Sequence, residues 1–419
     1  MVPGIRYGRG WIDVPLPARA EVRVVTPAEP EPLPDPGGAV LLALEKPIDS
    51  PPLARVAEGK GSAVVVVPDA TRPLPLPIVL PPILDTLAAA IPQERITILF
   101  ATGMHRPVGD EEARRLLGGE VAARFRFLSH DPARVERIGV ASRGTPMWID
   151  RVYLEHSLRV LVGLVEPHLL AGFSGGRKMV APGVIGLDAM PILHGPEMIG
   201  HRRARTGILE GNPFHEEALE IARAAGADFT VNVILGGGRV PAGVFAGELE
   251  HSHLEACRAL IRSARRAVPG GADLAVTCGG GAPLDATFYQ SVKGIVGAEG
   301  IVRPGGAVLL AASCDEGWGS APFVELLGET PDLEAFLRWA RRPGSFRKDQ
   351  WMVQHLREAM AERRIFLFSE GLDPERTRSF GITPAAGVAE GVERALEGIG
   401  RPRVVVLPEG PYTWVVPED

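Results

Sequence analysis

Short apolar runs, each closed by glycine or proline and followed by an amphipathic stretch, recur along the chain. Residues 62–68 (SAVVVVP) form a β-branched run between turn residues, the pattern of a strand buried on both faces. DATRP follows it. Residues 96–100 (ITILF) are a second such strand, followed by ATGMHRP. Residues 160–165 (VLVGLV) are a third, followed by EPHLLAGFSGGRK. Phe229–Leu235 is expected to pair with residues 240–245 across a glycine-rich turn. A basic helical stretch, 254–266, then leads through VPGGAD, a linker pattern, into a second series: 273–278, 307–312, 364–369 and 403–407. Strands alternating with helices predict mostly parallel sheets covered by helices on both faces. The expected fold class is α/β, with two Rossmann-like domains, 1–268 and 269–419, and the active site in the cleft between them. The last residues are allowed to return to the first domain.

Polar residues able to do chemistry stand just after the predicted strands: Asp69 and Arg72 after the first, His105 after the second, His168 after the third. In open α/β sheets the ligand crevice lies beyond the carboxyl ends of the strands. Three strands would therefore bring an arginine and two histidines to one crevice. The bulk properties narrow the partner. A net charge of -6 argues against a phosphate-backbone binder, which needs a basic excess. Three widely spaced cysteines make neither a zinc ribbon nor a disulfide framework and fit a reducing compartment. The opening residues lack the apolar core of a signal peptide, and no apolar run approaches a membrane span. A cytoplasmic enzyme acting on a small molecule, with no nucleic acid and no membrane partner, is the expectation.

Several motifs have two readings. In residues 172–178 (GFSGGRK) a glycine-rich turn could cradle phosphate through Ser174, Gly175 and Gly176. A P-loop is excluded, because Arg177 precedes Lys178 and Met179 follows it. A tight turn with solvated basic residues is the plainer reading. His105 and His168 are natural acid/base groups near neutral pH, although a lone histidine is more often structural. His194 could bind a metal, but no second ligand stands three or four residues away, so an all-protein metal site is poorly supported. His251 and His253 read as solvated. Arg72 could clamp a carboxylate bidentately or pair with Asp69 in a turn. Tyr289 and Lys293 share one face of a predicted helix with Gln290 beside them. Trp351 opens another helix, where packing is the plainer role.

Taken together and in order, DATRP (69–73), GMHRP (103–107), EPHLLAGFSGGRKMVAPG (166–183), His194, FYQSVK (288–293) and DQW (349–351) resemble the nickel-dependent lactate racemase family. The resemblance implies a nickel-pincer nucleotide attached covalently at Lys178. Nickel would be held by a ring carbon and two sulfurs of that cofactor together with His194, and the glycine-rich turn would face the nucleotide. It implies racemisation of a 2-hydroxy acid by reversible hydride transfer through a 2-keto acid. His105 and His168 would be the two bases that the two enantiomers require. Arg72 would clamp the carboxylate, with Lys293, Gln290 and Tyr289 around it. Asp69 would orient or contact the nucleotide, and Trp351 would close a wall. Partner enzymes would be needed to make the cofactor. One position departs from the family: Leu170 stands where lactate-active members resemble His-x-Ser. The site becomes more apolar, so a small aliphatic acid, lactate first, is expected ahead of malate, phenyllactate or a sugar acid. An NAD-type dehydrogenase is the weaker alternative, since no GxGxxG follows the first strand. A non-catalytic nucleotide or carboxylate sensor is the other.

Overall fold

The computed structural model describes residues 2–418. They fold into two compact units. One comprises Glu29–His194 and His201–Ser263. The other comprises the N-terminal residues up to Ala28, Gly195–Gly200 and the chain from Ala264 onwards.

In the first unit a six-stranded sheet runs in the order Pro241–Gly247, Phe229–Leu235, Leu158–Leu164, Ala63–Pro68, Ile96–Ala101 and Arg126–Ser129. Pro241–Gly247 pairs antiparallel with its neighbour, as the glycine-rich turn suggested, and the other pairings are parallel. Every residue of Ala63–Pro68 is buried, as parallel strands between two layers must be. One face packs Val65, Val67, Ile98, Phe100 and Val162 against Val79, Leu80, Ile83 and Leu87 of the helix Leu76–Ala88. From Ala63–Pro68 the chain steps outwards to Ile96–Ala101 and Arg126–Ser129. It then returns to lay Leu158–Leu164 on the opposite side. Ala63–Pro68 and Leu158–Leu164 thus flank the topological switch point, where the loops leaving neighbouring strands diverge and open a crevice.

The second unit has its own six-stranded sheet, all parallel, in the order Thr383–Ala385, Arg364–Phe368, Val302–Ala311, Ala272–Cys278, Arg403–Val406 and Glu21–Val24. The expected division at 268/269 is corrected in three ways. Glu21–Val24 hydrogen-bonds along Arg403–Val406, and Arg6 N donates to Pro408 O, so the N-terminal residues join this unit. Gln354 Nε2 donates to Pro196 O, which draws Gly195–Gly200 into it as well. Val415–Pro417 pairs with Arg266–Val268, so the chain ends in this unit and does not return to the first. No helix among the described residues is long and apolar enough to cross a membrane.

Candidate active site

Loops at the switch point of the first unit carry the predicted residues. Asp69, directly after Ala63–Pro68, is 6% exposed. Its Oδ1 accepts from Thr71 N at 3.0 Å and from Thr71 Oγ1 at 2.5 Å; its Oδ2 meets His105 Nδ1 at 2.6 Å. Burial alone would raise this carboxyl. The hydrogen bond and charge of His105, with the two Thr71 donors, outweigh burial and hold it below the usual carboxylate range. His105 reaches Asp69 from a turn in which Gly103 adopts φ 53 and its N–H donates to Gly183 O at 2.9 Å. Across the switch point, Arg72 Nη1 donates to Glu166 Oε2 at 3.3 Å. The Asp69–Arg72 side-chain pair considered as the plainer reading does not form; Asp69 faces His105 instead.

His168 lies in a two-residue ladder, Pro167–His168 against Gly172–Phe173. The turn between them needs Gly172, since at φ 75 an added Cβ would stand 2.2 Å from Ile208 O. It folds the backbone over the imidazole: Leu170 N and Ala171 N both point at His168 Nδ1, at 3.2 and 3.1 Å. Nε2 lies 2.9 Å from Lys178 Nζ. Leu170 is itself 2% exposed, and its contact with His168 is this backbone N–H.

The glycine-rich turn is locked from behind. Ser174 Oγ donates to Leu164 O at 2.7 Å and accepts from Glu166 N; Ser174 N donates to Glu166 O. Gly176 N donates to Asn232 Oδ1 at 3.0 Å. At Gly175, a Cβ would approach Val165 Cγ2 to 2.7 Å. The Ser174 hydroxyl and these N–H groups are already spent within the protein, so the turn aims Lys178 rather than cradling phosphate through them. Arg177 is not solvated, as a plain basic turn would have it. It is 1% exposed, and its Nη2 donates to Ala171 O at 2.7 Å. Burial brings this guanidinium down to about 10. His253, expected on the surface, is 2% exposed, its Nε2 3.0 Å from Arg177 Nη1 and 2.8 Å from Ser174 O. His251 does remain exposed.

Phe214 joins the lysine to the remaining histidine. Lys178 Nζ sits 5.1 Å from its ring centroid, and the His194 imidazole packs edge-on against the same ring at 5.6 Å. Asn212 fixes Phe214 by accepting from Phe214 N and His215 N as the helix N-cap, while its Nδ2 donates to Leu170 O. Burial first, and then the charges of Arg72 and Arg177, hold the Lys178 amine well below the ordinary lysine range. Burial, then Lys178, Arg72, Arg177 and His194, depress His168 in the same way.

Comparison with known proteins gives this arrangement its context. Residues 7–207 match the family model described as the lactate racemase N-terminal domain, and residues 268–415 match the lactate racemase C-terminal domain. The chain belongs to the lactate racemase family. The lactate racemase of Thermoanaerobacterium thermosaccharolyticum is 32% identical over 375 residues, covering 88% of each chain. That of Lactiplantibacillus plantarum is 32% identical over 374 residues, with the same coverage. The structure of the lactate racemase apoprotein from T. thermosaccharolyticum superposes with a TM-score of 0.90 at 30% identity, over 99% of this chain and all of that one. A Thermotoga maritima protein with a TM-score of 0.70 at 16% identity shares the fold. Family membership makes the chain an enzyme, a racemase of the isomerase class, and displaces the dehydrogenase and sensor readings.

In this racemase the other predicted residues cluster within the second unit. Tyr289, Gln290 and Lys293 lie on the helix Phe288–Glu299, and Trp351 is on Gln350–Glu362. Trp351 Nε1 donates to Tyr289 Oη at 3.1 Å, and Lys293 Nζ donates to Gln290 Oε1 at 2.6 Å. Burial, and then the nearby Asp349, push the Tyr289 hydroxyl upward, so it stays protonated. Glu166, Asn212, Phe214 and Asn232 were not singled out from sequence, and His253 was read as solvated. Asn212 carried one signal, a capping residue followed by proline at the first helical position. The others carried none, because their partners are distant in the chain.

Proposed function

We propose that this racemase interconverts the D- and L-enantiomers of a small aliphatic 2-hydroxy acid, lactate first. Its relatives named lactate racemase, matched over most of their length, support that substrate. The observation that carries the reading is the meeting of Lys178 and His194 on the Phe214 ring, with His168 on the lysine and the His105–Asp69 couple at the same switch point.

The residues fit the family's nickel-pincer nucleotide. Lys178 offers an amine of depressed basicity for covalent attachment. His194 offers an imidazole, and among the described residues no group of three or more His, Cys, Asp or Glu side chains converges on a metal position. Nickel held here would take its other donors from the cofactor, as the family implies. When bound, that group would take up the Cα hydride of the substrate and return it to either face of the resulting 2-keto acid.

The chain's own residues do the rest. Arg72 spends one nitrogen on Glu166 and is a third exposed, so its remaining N–H groups can hold the substrate carboxylate. His105 donates Nδ1–H to Asp69 and keeps the Nε2 lone pair to take the hydroxyl proton. His168 would face the opposite enantiomer through Nε2, the nitrogen its backbone contacts leave towards the site. The resemblance assigns Lys293, Gln290, Tyr289 and Trp351, which gather within the second unit, to substrate binding. Leu170 brings no hydroxyl to the His168 turn, which favours a short apolar acid over a second carboxylate. The three cysteines, all buried and unpaired, fit a reducing cytoplasm, where partner enzymes would supply the cofactor. Nickel-loaded protein given pure D-lactate should produce L-lactate, measured by chiral chromatography. No conversion of lactate, with turnover of malate, phenyllactate or a sugar acid instead, would reassign the substrate; no turnover of any would sink the proposal.

A further inference from the structure

The hydrogen bonds around His168 decide which of two basic groups carries a proton. Leu170 N and Ala171 N are donors, so the Nδ1 they share must present its lone pair. A neutral imidazole that accepts at Nδ1 carries its hydrogen on Nε2. Nε2 is then the donor in its 2.9 Å contact with Lys178 Nζ, and the lysine nitrogen must accept. An ammonium has three donors and no lone pair, so it cannot accept. The reverse assignment, with ammonium donating to Nε2, leaves both ring nitrogens unprotonated as an imidazolate. We infer that His168 and Lys178 form a primed couple in the unloaded protein, in which His168 donates and Lys178 stands as a free amine ready to be acylated.

The surroundings support this. The charged groups around Lys178 are Arg72, from the loop after Ala63–Pro68, and Arg177 beside it; His168 faces it from the Pro167–His168 strand and the Phe214 ring from Pro213–Ala225. None of these is an anion; against the pull of the Phe214 ring face on a cation stand burial and the charges of Arg72 and Arg177. Glu166 is engaged by Arg72, and Arg177 has backbone and histidine partners. The inference rests on the reading of Lys178 as the cofactor attachment point for its purpose, but its chemistry is independent of the cofactor. With acetic anhydride as acyl donor, the lysine nitrogen forms a bond to a carbonyl carbon. The anhydride C–O bond breaks, acetate leaves with the electron pair, and the surplus proton passes to solvent.

The test is acetylation of full-length unloaded protein from pH 6.5 to 9, with free Nα-acetyllysine in the same tube, read at Lys178 by peptide mass spectrometry. The free amine rises about tenfold per pH unit below its pKa. Lys178 should stay flat within about twofold above pH 7. In folded His168→Phe burial and the two arginines remain, so the profile should stay flat. The couple itself is read by 15N-histidine NMR of the unloaded wild type, in which His168 should carry its hydrogen on Nε2 alone. Three results would overturn the inference: a wild-type profile climbing with the standard, a His168 ring with its hydrogen on Nδ1 or on both nitrogens, or no acetylation of Lys178 until the protein is denatured. Co-expression with the cofactor-making enzymes separates the two readings. A flat profile and an Nε2–H ring, with Lys178 left unmodified there, keep the primed couple and remove the tether.

Discussion

His105 and His168 are the same side chain at the mouth of the same sheet, yet their neighbours set them in opposite states. His105 is half exposed and gives its Nδ1–H to a carboxylate, which leaves Nε2 as an open lone pair. His168 is partly buried, takes two backbone N–H groups on Nδ1 and has Lys178 at Nε2, with Arg72 and Arg177 close by. One ring is ready to accept a proton. The other is held with its hydrogen on the nitrogen that faces the site. On the proposed two-base reading, the unloaded chain would have only the His105 half set. Converting Lys178 to an acylated nitrogen removes its basic lone pair and frees His168 from that contact. If the cofactor is attached at Lys178 as proposed, attachment would turn the His168 Nε2–H towards the substrate, and His168 could take a proton at Nε2 only after its hydrogen had left that nitrogen, since Leu170 N and Ala171 N still hold Nδ1.

The largest effect expected from breaking the His168 side is at the lysine. Lys178→Arg keeps positive charge and length but offers no acylatable amine. Mass spectrometry should show no adduct after co-expression, and racemisation should fall by about 10⁴ or more, the size of loss seen when an activated nucleophilic group is removed. A retained adduct in this variant would move the tether elsewhere. On the His105 side, Asp69→Asn keeps the shape, but with its oxygen held by the two Thr71 donors it turns an NH2 donor towards His105 Nδ1, which no longer orients Nδ1–H. A loss of about 10²–10³ in kcat with little change in KM is expected, comparable to other losses of general-base catalysis. An unchanged kcat would show that His105 needs no orienting carboxylate. Arg72→Gln should raise KM for lactate about thirtyfold, roughly 2 kcal/mol for a charge-assisted bond. If kcat falls instead, Arg72 acts on the proton-transfer groups rather than on the carboxylate.

How far the sequence reached depends on the distance between partners. The buried runs AVVVVP and ITILFA announced a parallel sheet because alternation is absent when both faces are covered. Asp69, Arg72, His105 and His168 were singled out because strand ends are local features. Glu21–Val24 was missed, since its four exposed residues carry no core pattern and its partner strand is nearly 400 residues away in the chain. His253 looked solvated in an HxH on a helix; its buried place depends on Gly176, where an added Cβ would stand 2.9 Å from the imidazole. Periodicity reports which face is apolar. It does not report that an arginine and a histidine, neighbours only after folding, will satisfy each other inside. The phosphate-cradle reading of Ser174 and Gly176 was offered for a related reason. Their N–H groups look available in sequence, and only the fold shows Glu166 and Asn232 occupying them.

The smallest effect expected is on stability, and it asks which half of the site acid weakens first. Behind the His168 half, His215 is 7% exposed, and burial, then Arg177 and Arg223, lower it to about 3 from 6.5. Its folded pKa lies below its unfolded one, so the unfolded chain binds the extra proton across that window. Stability from neutral His215 is present above pH 6.5 and is lost progressively as the pH falls towards 3. Between pH 7 and 5.5 this amounts to about 1.2 kcal/mol. Asp69, backing the His105 half, is held below the usual carboxylate range, so its contribution stays intact down to that range and is lost only below it. Urea unfolding of wild type, His215→Phe and Asp69→Asn at pH 7 and 5.5 separates the two. Only His215→Phe should flatten the drop in midpoint. An equal drop in all three would place the acid sensitivity outside this site, and the contrast between the two histidines would then stop at their tautomers.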